Sequence, residues 1–342
     1  MKTELLRISD PTDPRLVKVG QTLRNGGLAA IPTETVYGLA ANALDEKAVE
    51  KIYEAKGRPS DNPLIVHIAH FDEWKPLVKE IPESAERLAK AYWPGPLTII
   101  LPKSTLVPMK TSGGLDTVAV RMPGHPIARA IIEKAGVPLA APSANTSGKP
   151  SPTTASHVLH DLDGKIEYIV DGGECTVGVE STVITLVGDR PRLLRPGGVT
   201  PEMLESVLGK IEIDPAVFNK LQEGTVAASP GMKYKHYSPT AEVIIIKGDF
   251  EKYKSYVEER ADENTAALCF DGDAEKLCGI SVLTYGEETD SASQVNRIFE
   301  ALREADEKGY QTVYARYPLA DGMGLAVFNR LVRAAAFHIV EL

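Results

Sequence analysis

Short apolar runs that open directly into polar loops punctuated by proline and glycine limit how this chain can fold. Residues 28–32 (Leu28-Ala29-Ala30-Ile31-Pro32) lead into Thr33-Glu34-Thr35-Val36-Tyr37-Gly38-Leu39, and residues 137–141 lead into Pro142-Ser143-Ala144-Asn145-Thr146-Ser147-Gly148-Lys149-Pro150-Ser151. A third run, residues 64–68, leaves the loop Lys56-Gly57-Arg58-Pro59-Ser60-Asp61-Asn62-Pro63 and carries His67. Apolar runs of this length, bounded by turn residues, read as buried strands. Loops at strand ends are where sheet proteins often keep their chemistry. Residues 97–101 and 117–123 add two more strands, and alternation in the second places Thr117, Ala119 and Arg121 on one face.

Between these runs the spacing predicts helices over 13–25, stopped at Gly26-Gly27, and over 45–55, 82–92 and 127–135. Residues 168–173 and 181–186 read as a pair of strands, 192–198 as a further segment after a turn, and 200–221 as a helical pair. Strands and helices mix without strict alternation, which predicts a twisted mixed α/β sheet in preference to a doubly wound one.

The chain has 342 residues, which suits two domains. We place the first over 1–222, a linker over 223–240 and a second, smaller α/β unit over 241–342. In the last of these, strands near 241–246, 266–270, 280–285 and 312–315 combine with helices over 249–259, 293–308 and 325–337 as a three-layer, Rossmann-like domain. The linker is unusual for a flexible connector. It carries Lys233, Tyr234, Lys235, His236 and Tyr237, side chains suited to covering a nucleotide.

Net charge is −9, concentrated at the carboxyl end: residues 241–342 hold 11 Lys/Arg against 19 Asp/Glu, leaving 27 against 28 before them. An overall basic footprint for nucleic acid is therefore absent, although a basic cavity fits within a neutral domain. No run reaches the length of a membrane span and the first residues lack the apolar core of a signal peptide, so the expectation is a cytoplasmic protein. Cys175, Cys269 and Cys278 form no C-x-x-C pair, which supports neither a zinc site nor a disulfide framework.

Common catalytic motifs fail. Ser147-Gly148-Lys149-Pro150 lacks the upstream glycine and following hydroxyl of a P-loop, Gly322-Met323-Gly324 lacks the third glycine of a dinucleotide fingerprint, and Gly178-Val179-Glu180-Ser181-Thr182 lacks the glycine after the serine of a nucleophile elbow. The positive candidates lie in the loops. Arg58 offers a fork for phosphate oxygens and Lys56 a point charge, though a lone Lys-x-Arg is far better explained by a surface turn with solvated charges. His67, taken by itself, is more often a satisfied structural histidine than a catalytic one.

Taken together, Pro32 through Leu39, Lys56 through His67, Pro142-Ser143-Ala144-Asn145 and Ser229-Pro230-Gly231-Met232-Lys233-Tyr234-Lys235-His236-Tyr237 closely resemble the threonylcarbamoyl-AMP synthase family, in its longer branch with a YrdC-like domain and a carboxyl-terminal domain. The resemblance implies a YrdC-like twisted mixed sheet with a deep positive cavity. It also implies a nucleotidyltransferase that makes L-threonylcarbamoyladenylate and pyrophosphate from L-threonine, bicarbonate and ATP. Partner transferases would then modify adenosine 37 of tRNAs, and a direct tRNA contact is compatible with that role. Carried over residue by residue, Thr35, His67, Arg121, the backbone at Ala141 and Ser181 resemble the threonine-binding set. Arg58, Asn62, Thr117, Ser143, Ser151, Arg195 and Tyr234 resemble the ATP-binding set, and Lys56 and Arg58 are the expected catalytic cations. Mg²⁺ is expected to accompany ATP, with no dedicated protein metal site. The linker around Tyr234 is the expected lid over a water-labile carbamate. Two other readings compete: a double-stranded RNA-binding or ribosome-assembly module without nucleotidyl transfer, and a carbamoyltransferase of the hydrogenase-maturation type. The neutral-to-acidic charge disfavours the first; the second needs zinc-finger cysteines and a length this chain lacks.

Overall fold

The computed structural model describes residues 2–220, Ser229 and 236–342. Among these residues eleven strands form one sheet: β1 (Glu4–Arg7), β2 (Ala29–Ile31), β3 (Gly38–Asn42), β4 (Ile65–His67), β5 (Leu97–Pro102), β6 (Thr117–Arg121), β7 (Leu139–Ala140), β8 (Tyr168–Asp171), β9 (Thr182–Thr185), β10 (Arg192–Arg195) and β11 (Glu212–Ile213). Their spatial order is β1-β8-β2-β3-β7-β4-β6-β5-β9-β10-β11. The sheet is mixed: β4/β6 and β5/β9 are parallel, whereas β2/β3, β4/β7 and β5/β6 are antiparallel. Helices α1 (Arg15–Arg24), α2 (Glu46–Lys56), α3 (Glu83–Tyr92), α4 (Pro126–Ala135), α5 (Ala155–Leu162) and α6 (Pro201–Leu208) complete this unit.

Helix α2 shows how local rules place a functional loop. The Asp45 side chain caps its first turn by accepting from the Lys47 N–H. At the other end Gly57 takes a left-handed φ of 63°, its N–H bonding to Glu54 O while the Arg58 N–H bonds to Tyr53 O. This paired closure stops the helix between Lys56 and Arg58, so the two cations leave it in different settings.

The second sheet is entirely parallel: β12 (Glu242–Lys247), β13 (Thr265–Cys269), β14 (Ser281–Thr284), β15 (Thr312–Arg316) and β16 (Ile339–Glu341), in the order β14-β13-β15-β12-β16. With α7 (Phe250–Glu258), α8 (Ser291–Glu307) and α9 (Gly324–Ala334) it makes three layers. Period-two alternation divides the faces. Val243, Ile245, Ala266, Leu268, Val313 and Ala315 pack with α8 and α9, whereas Ile246, Ala267, Cys269 and Tyr314 pack with α7. The α8/α9 core also takes in Val36, Val179 and Val217 of the first unit, so apolar packing runs continuously between the units.

Two expectations are corrected. The segments at 168–173 and 181–186 are strands but not partners: β8 lies between β1 and β2, while β9 joins β5 and β10. Alternation along a strand says nothing about which edge it meets. Residues 200–221 are also not a helical pair. Helix α6 ends before Gly209, and the chain then adds β11 beside β10 and a 3-10 turn at Pro215–Val217, because Gly209 and Pro215 break a second helix. Leu221 lies outside the described residues. Among the described residues no helix is long and apolar enough to cross a membrane.

Candidate active site

A cavity opens where the ends of β2, β4, β6, β7, β9 and β10 converge. It is lined by Thr35, Arg58, His67, Arg121, Ala141, Ser143, Ser181 and Arg195, and also by Thr33, Glu180, His236 and Tyr237. The first eight were expected from sequence and come together from distant parts of the chain. Lys56, Asn62, Thr117 and Ser151 stand outside this lining. Tyr234, with Lys233 and Lys235, lies outside the described residues.

Strand register creates one end of the site. Parallel pairing of β4 with β6 sets His67 opposite Arg121. The Arg121 guanidinium donates to Glu34 Oε1 at 2.6 Å, to Thr35 Oγ1 at 2.9 Å and to the Gly95 carbonyl at 3.2 Å. Thr33 shares a hydroxyl bond of 2.8 Å with Thr35 and donates to the Val36 carbonyl at 2.6 Å, which fixes the turn that presents Thr35. Burial opposes ionisation of Glu34, but the Arg121 cation beside it holds the carboxyl below its usual range. Glu34 Oε2 is buried without a hydrogen-bond partner among the described residues.

His67 is shut off from solvent and its Nδ1 donates to the Ile65 carbonyl at 3.1 Å. Burial and the neighbouring Arg121 push its pKa down to about 3, so it is a neutral imidazole at ordinary pH. The Ala141 N–H is already donated to the Ile65 carbonyl at 3.0 Å, leaving its carbonyl as the backbone group able to accept from a ligand amine.

At the β9–β10 corner, a register irregularity between Leu193 and Arg195 re-aims the arginine. Arg195 Nε donates to the Ser181 carbonyl at 3.0 Å and Nη2 to Ser181 Oγ at 3.2 Å; Ser181 Oγ also meets Thr98 Oγ1 at 2.7 Å. Glu180 Oε1 accepts from the Ser151 hydroxyl, and Oε2 accepts from Arg330 Nε at 2.8 Å. Burial again opposes ionisation, yet Arg330 and Arg195 keep this carboxyl below its ordinary range. Ser151 is thus a wall residue whose hydroxyl is engaged behind the cavity.

The α2 loop supplies the remaining cation. Arg58 is partly buried, gives Nη2 to the Pro63 carbonyl at 3.2 Å and holds a buried Nε with no partner among the described residues. Desolvation lowers its pKa to about 10, which leaves it charged. Asn62 in the same loop has a buried Oδ1 with no partner among the described residues. Lys56 behaves differently from expectation. Its ammonium is buried and donates to Ser143 O, to Asn145 O at 2.6 Å and to Asn145 Oδ1 at 3.4 Å. Three acceptors match its three protons, so Lys56 braces the 142–145 loop instead of facing phosphate. Burial, with Arg58 nearby, pushes its pKa well down. Thr117 starts β6 opposite Pro102 and is partly exposed.

Sequence reasoning missed Glu34, Glu180 and Arg330 as structural parts of the site. A carboxylate between Val179 and Ser181 at a strand entrance was the available signal for Glu180. For Arg330 it was a charged residue within the apolar run of α9. Among the described residues no group of three or more His, Cys, Asp or Glu side chains converges as a metal site.

The comparisons agree with this architecture. A family model described as "Telomere recombination" (Sua5, YciO and YrdC) matches residues 21–197, and one described as "Threonylcarbamoyl-AMP synthase, C-terminal domain" matches residues 199–336. The threonylcarbamoyl-AMP synthase of Pyrococcus abyssi is 51% identical over 94% of this chain and 94% of its own. The Bacillus subtilis protein of the same name is 45% identical over 96% of this chain and 95% of its own. The solved structure of P. abyssi Sua5 complexed with L-threonine superposes with a TM-score of 0.91 at 47% identity, covering 99% of this chain and 100% of that one.

Proposed function

Because the chain belongs to the threonylcarbamoyl-AMP synthase family of nucleotidyltransferase-type enzymes, we propose that it converts L-threonine, bicarbonate and ATP into L-threonylcarbamoyladenylate and pyrophosphate. The product would serve N6-threonylcarbamoyladenosine formation at position 37 of tRNAs, through partner threonylcarbamoyl transferases. The observation that carries this reading is the pairing, in one cavity, of a small hydroxyl-and-backbone pocket with Arg58, whose buried Nε has no partner among the described residues.

Thr35, His67, Arg121, the Ala141 carbonyl and Ser181 form the threonine end. Neutral His67 and the hydroxyls suit the ligand's hydroxyl and amine, while Arg121, held by Glu34, supplies a fixed positive field for its carboxylate. Arg58, Ser143 and Arg195 form the nucleotide end of the cavity; Asn62, Thr117, Ser151 and Tyr234 are assigned to ATP by the family resemblance. The threonine amine adds to bicarbonate with loss of water, and a carbamate oxygen then attacks the α-phosphate as pyrophosphate leaves. Such a displacement asks for alignment and charge neutralisation, not an enzyme nucleophile. Both cavity-side carboxylates are engaged by arginines, so Mg²⁺ is assigned to phosphate oxygens and water, where it would neutralise triphosphate charge. The 223–240 segment is proposed as the lid, and His236 and Tyr237 at its end line the cavity.

The test is product identity. Incubation with ATP, L-threonine and ¹³C-bicarbonate should give an adenylate carrying the labelled carbonyl by mass spectrometry. Formation of AMP or ADP without label incorporation would refute the reading. Binding of double-stranded RNA with no ATP turnover would favour the competing RNA-binding module.

A further inference from the structure

Arg330 belongs to α9 of the second unit, yet its guanidinium ends in the cavity wall of the first. It is fully buried. Its Nε donates to Glu180 Oε2 at 2.8 Å, Nη2 to the Glu180 carbonyl at 3.2 Å, and Nη1 to the Pro196 carbonyl at 2.8 Å and Asn329 Oδ1 at 3.1 Å. Its Cζ stands 5.4 Å from the centroid of the Tyr237 ring. Glu180 and Tyr237 line the cavity, and Pro196 directly follows the lining residue Arg195.

A junction that only needed cohesion could use apolar contacts, since burying a guanidinium carries a large desolvation cost. The same interface holds a second buried pair for comparison. Arg303 meets Asp161 at 3.0 Å and donates to the Pro150 carbonyl at 2.6 Å, but neither partner lines the cavity. Arg330 differs because its guanidinium meets two lining residues, Glu180 and Tyr237, and the Pro196 carbonyl next to a third, Arg195.

We propose that Arg330 is a positioning residue contributed by the carboxyl-terminal unit: it holds Glu180, the Arg195–Pro196 turn and Tyr237 in mutual register, so that the second unit completes the active-site framework without touching substrate. This rests on the synthase reading above. It gives the carboxyl-terminal unit a role in the reaction through residues otherwise remote from it in sequence.

The test uses the full-length protein with Arg330→Lys, Arg330→Met and Arg303→Met, measuring threonine- and bicarbonate-dependent pyrophosphate release, ATP binding by calorimetry, and melting temperature. Arg330→Lys keeps the charge but loses the planar fork. We expect it to melt cooperatively while kcat/KM for ATP and ATP affinity fall on the order of 10-fold or more, as expected when remote support for a site is displaced. Arg330→Met should fall further, and Arg303→Met should stay within about 3-fold of wild type even where its melting temperature drops as much. Loss of activity and affinity in simple proportion to melting temperature, equally for both arginines, would overturn the proposal. If Arg330→Met does not fold, Arg330→Lys against Arg303→Met decides. If wild type releases pyrophosphate without needing threonine, the synthase reading fails, while the ATP-binding comparison still tests Arg330.

Discussion

Arg58 and Lys56 are two residues apart in sequence and do different work. The αL glycine between them sends the lysine back onto the 142–145 loop and the arginine toward the cavity. Arg58→Ala is expected to lower kcat/KM for ATP on the order of 100-fold, and Arg58→Lys to recover little of it because the fork is lost. Steady-state kinetics against ATP checks this; an unchanged kcat/KM in Arg58→Ala would remove Arg58 from the site. His67 gives a pH prediction. Its folded pKa is held near 3, below the ordinary 6.5, so the unfolded chain takes up the proton first as pH falls. Stability contributed above pH 6.5 is then lost between about 6.5 and 3, at about 1.4 kcal/mol per pH unit. His67→Asn should flatten the slope of urea-unfolding free energy between pH 6.5 and 5, where most carboxylates have not begun to titrate. Of the eight lining residues expected from sequence, Thr35, Arg58, His67 and Ser143 lie in the motifs and Arg121, Ala141, Ser181 and Arg195 come with the family resemblance, whereas the roles of Glu34 and Glu180 were not legible, because a carboxylate's arginine partner is fixed by tertiary contact.

At the scale of elements, the β9–β10 corner is the tightest constraint on the site. A Cβ on Gly197 would lie 2.5 Å from the Thr182 nitrogen, 2.6 Å from the Glu180 carbonyl oxygen and 2.8 Å from the Ser181 carbonyl carbon, all of them backbone atoms. Gly197→Ala should therefore cost about 1–3 kcal/mol and displace Ser181 and Glu180 together. A chemical denaturation series and threonine titration would check it, with both stability and threonine affinity expected to fall. Helix limits and most strands were readable from apolar spacing and Gly/Pro stops, as α2 illustrates. Strand partners were not: β8 and β9 each have sound strand sequences, but their edges are chosen by the order of the whole sheet. The short strands β1 and β3 and helix α5 were also overlooked, being short and flanked by the very turn residues that read as loop.

For the whole molecule, apolar packing from Val36, Val179 and Val217 into the α8/α9 core joins with the Arg303, Arg330 and Arg333 contacts to tie the two units together. One cooperative calorimetric transition is expected for the intact chain, and two separated transitions would contradict that coupling. The tie was invisible in sequence because the acidic composition of the second unit hid its buried arginines among many solvated charges. The synthase reading as a whole meets its most direct test in pyrophosphate release from ATP with L-threonine and bicarbonate supplied together or singly. Release is expected only with both present; release that is indifferent to threonine would contradict the synthase assignment.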